Sequence, residues 1–175
     1  MKLIAPVVLA AALAGGGCAT TAEPVALSAI SDAVSPAPGI VSAGRLEPAD
    51  IARVRDAGIR HVIDLTPDAE TPGFDEAAAV RAAGLAYSNL PLRGAADLTR
   101  ENVIAFDALV RAAKRPVLVH CASGNRVGAM AALRAAWVEG KPADEAIDIG
   151  KTWGLKGLEA EVRRRIEFGT PQSGT

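Results

Sequence analysis

Aromatic side chains are scarce in this chain of 175 residues, at 3% of the composition. Proteins that bind single-stranded nucleic acid stack bases on aromatic rings, so this class is not expected here. Charge of one sign is also lacking, because 19 basic and 20 acidic residues leave a net charge of -1. This balance supplies no basic field that would attract nucleic acid, and no nucleic-acid partner is expected.

Cysteine and histidine are equally few. The cysteines are Cys18 and Cys121, and the histidines are His61 and His120. Their spacing matches none of the common zinc patterns, so neither a metal nor a cofactor is expected. Because thiols are so few, Cys121, which lies beside a glycine turn, is a candidate nucleophile.

The N-terminus has the pattern of an export signal. Residues 1–18 read MKLIAPVVLAAALAGGGC, with one lysine, an apolar run and then small residues. This pattern predicts a secretory signal peptide, and the final cysteine resembles that of a lipobox. We expect an exported, periplasmic protein, with two alternatives: a lipid anchor at Cys18 to the outer membrane, or simple cleavage. Residues 19–38 are expected to be a flexible linker and residues 169–175 a polar tail.

Between these ends, residues 39–168 alternate short β-branched runs with helical patterns, which predicts one α/β domain. A parallel sheet with helices on both faces is expected from this alternation. The predicted strands are His61–Leu65, Leu85–Leu90 and Pro116–His120. The predicted helices are Pro48–Ala57, Asp75–Ala83, Thr99–Lys114, Val127–Glu139, one that begins at Pro142, and Leu158–Phe168.

The segment VLVHCASGNRVG carries the strongest chemical signal. Cys121 follows a predicted buried strand and precedes a helix, whose first amides and dipole favour a thiolate. Arg126 offers a planar fork suited to a tetrahedral oxyanion. The small residues between them allow backbone N–H groups to form an anion cradle, and they are Ala122, Ser123, Gly124 and Asn125. A nucleophile beside an anion cradle suits covalent attack on an oxyanion ester or transport of sulfur.

Several motifs give this sequence a resemblance to a known family. HC-x-x-G resembles the opening of the protein-tyrosine-phosphatase loop. From about Gly39 to Phe168 the chain is similar to the bacterial beta-lactamase hydrolase-like family, through VSAGRLEPADI, GIRHVIDLTPDAE, GLAYSNLPL, LTRENVIAF, PVLVHCASGNRVG and GLKGLE. The resemblance implies a dual-specificity phosphatase fold. It also implies Cys121 as the nucleophile that forms a phosphocysteine, and Arg126 with the loop amides as the phosphate ligands.

The loop departs from the tyrosine-phosphatase pattern in two ways. Four residues separate Cys121 from Arg126, where the phosphatases have five, and Val127 stands where they place a hydroxyl. The Cys-x-x-Gly-x-Arg spacing is also that of rhodaneses, although their upstream signatures are missing. Two alternatives to a phosphatase therefore remain: a rhodanese-like sulfurtransferase or persulfide carrier, and a non-catalytic anion-binding module.

A phosphate ester also needs a proton donor for its leaving group. Asp97 is the first candidate, because it lies in the loop 93–98, where dual-specificity phosphatases keep their acid. Asp68 and Glu70, which follow the first predicted strand, are alternatives. His120 is expected to support the loop through hydrogen bonds. The expected substrate is a phosphorylated small molecule or protein.

Overall fold

A computed structural model of the chain describes residues 27–169. Its centre is a five-stranded sheet with the strand order β1-β2-β5-β3-β4. The strands are β1 Val34–Ala37, β2 Ile40–Ala43, β3 His61–Asp64, β4 Ala86–Asn89 and β5 Val117–His120. Four strands are parallel to one another, and only β1 runs antiparallel to its neighbour β2. The α/β fold predicted from the sequence is confirmed, and the sheet contains two strands that were not predicted, β2 and the antiparallel edge strand β1.

Within residues 27–169, six α-helices cover this sheet. They are α1 Asp50–Asp56, α2 Glu76–Ala82, α3 Arg100–Ala112, α4 Asn125–Trp137, α5 Ala143–Thr152 and α6 Glu159–Phe168. The hydroxyl of Thr99 caps α3 by accepting a hydrogen bond from the backbone N–H of Asn102 at 3.2 Å, as its residue type predicts. No helix among residues 27–169 has both the length and the apolar character needed to cross a membrane.

The two faces of the sheet bury separate hydrophobic cores. Val117 and Val119 of β5 pack with α3, α4, α5 and α6, in a core that also contains Cys121. Leu118 points the other way and packs in the core that contains apolar residues of α1 and α2. Successive strand residues alternate between faces, so His120 and Cys121 leave the end of β5 on opposite sides. Helices therefore cover both faces, as expected.

The segment 27–38 corrects the predicted domain boundary. Residues 19–38 were predicted to be a flexible linker, but Leu27 and Ile30 are buried in the core on the α1 side. Residues 34–37 form β1, and the N–H of Gly44 donates to the carbonyl of Ser31 at 2.7 Å. The burial of these two apolar side chains, together with the pairing of β1 with β2, holds this segment on the domain despite its Ala, Ser and Pro content. The predicted signal peptide 1–18, Cys18 and the residues after 169 lie outside the described residues.

A close contact between α4 and α5 holds the helix that follows the cysteine loop. A β-carbon added at Gly128 would lie 2.7 Å from the carbonyl oxygen of Gly150 in α5 and 2.0 Å from the backbone nitrogen of Leu155, just after that helix, so only glycine fits there. The hydroxyl of Ser42 on β2 donates to the carbonyl of Trp153 at 2.6 Å. These contacts fix the start of α4 relative to the carboxyl end of the sheet.

Candidate active site

Cys121 lies at the carboxyl end of β5, the central strand of the sheet. Ligand sites of open parallel sheets lie at this end. The chain then turns through Gly124, which precedes the first residue of α4 and has a φ of 76°. This left-handed conformation favours glycine because it has no β-carbon. The Cys121 side chain is buried, with a relative exposure of 0%.

Backbone contacts hold the loop between Cys121 and α4 in place. The N–H of Arg45 donates to the carbonyl of Ala122 at 3.3 Å. The side-chain oxygen of Asn125 accepts hydrogen bonds from the backbone of Lys156 at 2.8 Å and of Leu158 at 3.3 Å. The Asn125 side chain therefore joins the loop to the α5–α6 connection through its oxygen.

Arg126 is the best-anchored residue of the site. Its Nη1 and Nη2 atoms donate to the two carboxylate oxygens of Glu70, at 2.8 and 2.7 Å. Its Nη1 also donates to the carbonyl of Leu92. Burial disfavours the charged guanidinium, but the hydrogen bonds to Glu70 and the neighbouring Cys121 sulfur outweigh it and raise the pKa of Arg126. The predicted pair of Cys121 and Arg126 is thus brought together.

Glu70 is a site residue whose role the sequence analysis did not identify. Its hydrogen bonds with Arg126 lower the pKa of the Glu70 carboxyl. A carboxylate held in its charged form is poorly suited to donate a proton, which disfavours Glu70 as the general acid. The backbone carbonyl of Glu70 accepts a hydrogen bond from Nη1 of Arg45, which follows β2, at 2.6 Å. This contact fixes the segment after β3, and Glu70 in turn positions Arg126.

Asp97 lies in the segment that connects β4 to α3. It ends a short 3-10 helix, Ala95–Asp97, and its Oδ2 accepts from the backbone N–H of Arg93 at 2.6 Å. Arg165 of α6 holds the same segment through the carbonyls of Leu98 at 2.6 Å and Ala95 at 2.8 Å. Leu92, whose carbonyl contacts Arg126, opens this segment. The role of Asp97 as general acid remains a prediction.

The ring of His120 lies on the opposite face of the sheet from Cys121. Its neighbours are Asp64 of β3 and Glu76 of α2. Neither ring nitrogen of this buried histidine makes a hydrogen bond within residues 27–169. The expected hydrogen bonds from the ring to the loop are therefore not found, because the ring points away from that loop.

Lys156 adds a cation beside the loop. It belongs to the motif GLKGLE, but it was not identified as a site residue from the sequence. Its Nζ lies 2.6 Å from Oδ1 of Asp32 and 3.3 Å from the carbonyl of Ser123. Ser123 itself is exposed. The ion pair with Lys156 lowers the pKa of Asp32. The segment predicted to be a linker thus contributes a carboxylate to the rim of the site.

These groups together define a type of site. A thiol next to a guanidinium, at the N-terminus of a helix and the end of a parallel strand, can bind an oxyanion and attack it covalently. With this sheet and these helices, the class is a cysteine-phosphatase-like protein. The chain belongs to the family described as beta-lactamase hydrolase-like protein, phosphatase-like domain, whose model matches residues 31–138.

A full-length relative gives the same family. The beta-lactamase hydrolase-like protein of Xylella fastidiosa (strain Temecula1) is 34% identical over 133 residues, which cover 67% of this chain and 30% of the relative. The chain therefore spans about a third of the length of that protein. A second relative, from Agrobacterium fabrum, is 31% identical over 117 residues, which are 65% of this chain and 27% of the relative.

Solved structures resemble the fold. A phosphatase-like protein from Neisseria meningitidis superimposes with a TM-score of 0.65 and 26% identity, and the match covers 78% of this chain and 97% of that one. TpbA from P. aeruginosa, in complex with pTyr, has a TM-score of 0.59 and 20% identity, with 80% and 90% covered. At that identity, the likeness to TpbA concerns the fold alone. The family and the fold support a phosphatase.

Proposed function

We propose that this protein hydrolyses phosphate monoesters through Cys121. The observation that supports this most is the placement of Cys121 beside the buried guanidinium of Arg126, where α4 begins. Arg126 neutralises the phosphate oxygens and remains fixed by Glu70 while it does so. A guanidinium held in advance stabilises the charge of the transition state without reorganising.

The proposed reaction has two displacements. The Cys121 thiolate attacks phosphorus, the new S–P bond forms as the ester P–O bond breaks, and Asp97 gives its proton to the leaving oxygen. Water then attacks phosphorus, the S–P bond breaks, and the Asp97 carboxylate takes the proton of the water. Val127 has no hydroxyl to assist the departing thiolate, so Arg126 and the loop amides stabilise this second step.

The nucleophile is tested by comparing the two cysteines of the chain. Full-length protein, Cys121→Ser and Cys18→Ser are incubated with an aryl phosphate, and released phosphate is measured. We expect Cys121→Ser to lose at least about 10⁴-fold in kcat, which is typical for a missing nucleophile, and Cys18→Ser to remain active. Mass spectrometry of acid-quenched protein should find phosphate on Cys121. Equal activity of both variants would exclude the covalent route.

The spacing of the loop favours a second candidate, a sulfurtransferase. Four residues between Cys121 and Arg126 make a tighter ring than the phosphatase loop. In this reaction the thiolate takes the outer sulfur of thiosulfate, releases sulfite, and passes the sulfur to cyanide as thiocyanate. The same proteins are assayed with thiosulfate and cyanide. Thiocyanate without phosphate release would replace the phosphatase proposal, and phosphate binding without either product would indicate an anion-binding module.

We also propose, from the pattern of residues 1–18 alone, that the protein is exported and anchored at Cys18. The natural substrate would then be a phosphorylated small molecule or protein outside the cytoplasm. The mass of the mature N-terminus tests this, because acylated Cys18 adds lipid mass that Cys18→Ser lacks. An unmodified chain that begins before or after Cys18 would contradict the anchor.

A further inference from the structure

A buried cluster of metal-ligating side chains lies on the face of the sheet opposite to Cys121. It brings together Asp64 at the end of β3, Glu76 in the first turn of α2, and His120 at the end of β5. One ligand atom from each residue lies within 4.8 Å of the other two. The cluster is separate from the cysteine site, because His120 and Cys121 point to opposite faces.

The geometry of this cluster leaves polar atoms without partners. Nε2 of His120 is 2.7 Å from Oε1 of Glu76 and 3.5 Å from Oδ1 of Asp64. Although the first distance is short, its angles are not those of a hydrogen bond, and within residues 27–169 Oε1 and both ring nitrogens make none. The His120 side chain is only 1% exposed, and those of the two acids are 6% exposed. Buried groups of this kind rarely remain unpaired.

The adjoining cavity has the charge that a cation requires. It has a volume of about 530 Å³, and its described lining includes four carboxylates and no lysine or arginine. These acids are Asp64, Asp68, Asp75 and Glu76. Because Asp64 and Glu76 reach both the cavity and His120, an ion could enter from the cavity.

Neighbouring hydrogen bonds fix the orientation of Asp64. Its Oδ1 accepts from the backbone N–H of Thr66 at 2.6 Å, and its Oδ2 accepts from the hydroxyl of Tyr87 at 2.9 Å. Such outer contacts orient the ligands of metal sites. Arg81 stacks on the ring of Tyr87, 5.2 Å from its centroid, and does not belong to the ligand set.

We propose that Asp64, Glu76 and His120 bind a divalent transition-metal ion of the zinc class, with a fourth position open to the cavity. One imidazole nitrogen and two carboxylate oxygens are a ligand set that suits zinc, whereas magnesium and calcium prefer oxygen alone. Tetrahedral ligands about 2.0–2.1 Å from zinc lie about 3.3 Å apart. Small side-chain rotations that separate His120 from Glu76 would reach this spacing. The ion would join β3, α2 and β5.

The test uses full-length protein with the Cys18→Ser and Cys121→Ser substitutions, because a free thiolate is itself a zinc ligand. After treatment with a chelator, Zn²⁺ is titrated in by calorimetry. We expect one ion per chain, and at least about a tenfold loss of affinity in Glu76→Gln, as expected when a ligand is removed. Asp68→Asn is the matched control, since it removes charge from the same cavity but is not a ligand, and should keep the affinity.

A second measurement needs no variant in the cluster. The chain has two histidines, and the ring of His61 lies beside the hydroxyl of Ser88, with 3.0 Å between Nε2 and Oγ. In nuclear magnetic resonance spectra, Zn²⁺ should shift the ring signals of His120 and leave those of His61 unchanged. Absence of binding, equal loss in Asp68→Asn, or an unmoved His120 ring would each overturn the proposal. The cluster would then be only a buried contact between His120 and Glu76.

Discussion

His120 and Cys121 are consecutive residues, yet their side chains lie in opposite electrostatic surroundings. Cys121 shares its buried face with the guanidinium of Arg126 at the start of α4. His120 lies among carboxylates, next to a cavity whose described lining contains no basic residue. The difference shows how a single strand end can serve two sites, because one step along an extended chain reverses the side-chain direction.

The two sides also differ in packing. On the thiol side, α4 and α5 approach so closely that glycine is needed at 128. On the histidine side, a cavity of about 530 Å³ lies between β3 and α2. Tight packing holds a covalent site in a fixed geometry, whereas a cavity leaves room for an ion and its water.

Among the differences between the two sides, the largest expected effect concerns the shape of the cation on the thiol side. Arg126→Lys keeps a positive charge but loses the planar fork, so kcat/KM for an aryl phosphate should fall by about 10²–10³. Steady-state kinetics measure this, with Arg55→Lys as the control on an exposed arginine. Zinc binding in the background with Cys18→Ser and Cys121→Ser should be unchanged by Arg126→Lys. If metal affinity fell with activity, the two sides would not be independent.

Packing on the thiol side should give the next largest effect. Gly128→Ala forces a methyl group into the backbone of Leu155, and we expect the free energy of unfolding to fall by about 3 kcal/mol. Gly157→Ala is the control, because its added β-carbon would have only an ordinary contact, 3.9 Å from Nδ2 of Asn125. Urea denaturation compares the two variants. Equal stabilities would show that α4 and α5 can separate without cost.

The proton donor is tested by changing the leaving group. Asp97→Asn keeps an oxygen that can accept from the N–H of Arg93 but has no proton to give. With an alkyl phosphate, kcat should fall by about 10²-fold, and with an activated aryl phosphate by much less, because a good leaving group departs without a proton. Asp68→Asn, which alters the alternative acid, is the control. A uniform loss across both substrates would remove Asp97 from this role.

The smallest expected effect concerns the support of the Asp97 segment. Hydrogen bonds from Arg164 and Arg165 lower the pKa of Glu161 from 4.5 to about 2. The stabilisation by Glu161 is therefore full above pH 4.5 and disappears as the pH falls towards about 2. Solvent screens the ion pairs of Glu161 with Arg164 and Arg165. Glu161→Gln should therefore lower the free energy of unfolding by only about 1 kcal/mol at neutral pH.

Thermal denaturation between pH 2 and pH 7 measures the difference in stability between wild type and Glu161→Gln. Glu167→Gln removes an exposed carboxylate from the same helix and is the control for the loss of a negative charge there. A gap between wild type and Glu161→Gln that stayed constant down to pH 2 would contradict the assigned ion pairs.

Local patterns predicted much of the thiol side. The β-branched run before Cys121, the small residues after it and the cap at Thr99 are each contained in a few neighbouring residues, so the sequence reveals them directly. Strands β3, β4 and β5, five of the six helices within residues 27–169 and the start of α5 were predicted with boundaries close to those observed. The anchoring of Arg126 by Glu70 was missed, because 56 residues separate the two.

The histidine side could not be predicted in the same way. Asp64, Glu76 and His120 come together only because β3 and β5 are neighbours in the sheet and α2 follows β3. A search for zinc spacing among cysteines and histidines passes over such a set. Similarly, the content of small residues concealed β1 and the buried Leu27 and Ile30, although the spacing of those two side chains was a usable signal.

The side chain of Asn125 couples the motion of the cysteine loop to that of the α5–α6 connection. It accepts from the amides of Lys156 and Leu158, so the start of α4 cannot open without releasing the α5–α6 connection. Segments joined in this way unfold and refold as one cooperative unit. When an oxyanion occupies the loop, the hydrogen–deuterium exchange rates of the Lys156 and Leu158 amides should therefore fall together, although neither amide contacts the oxyanion.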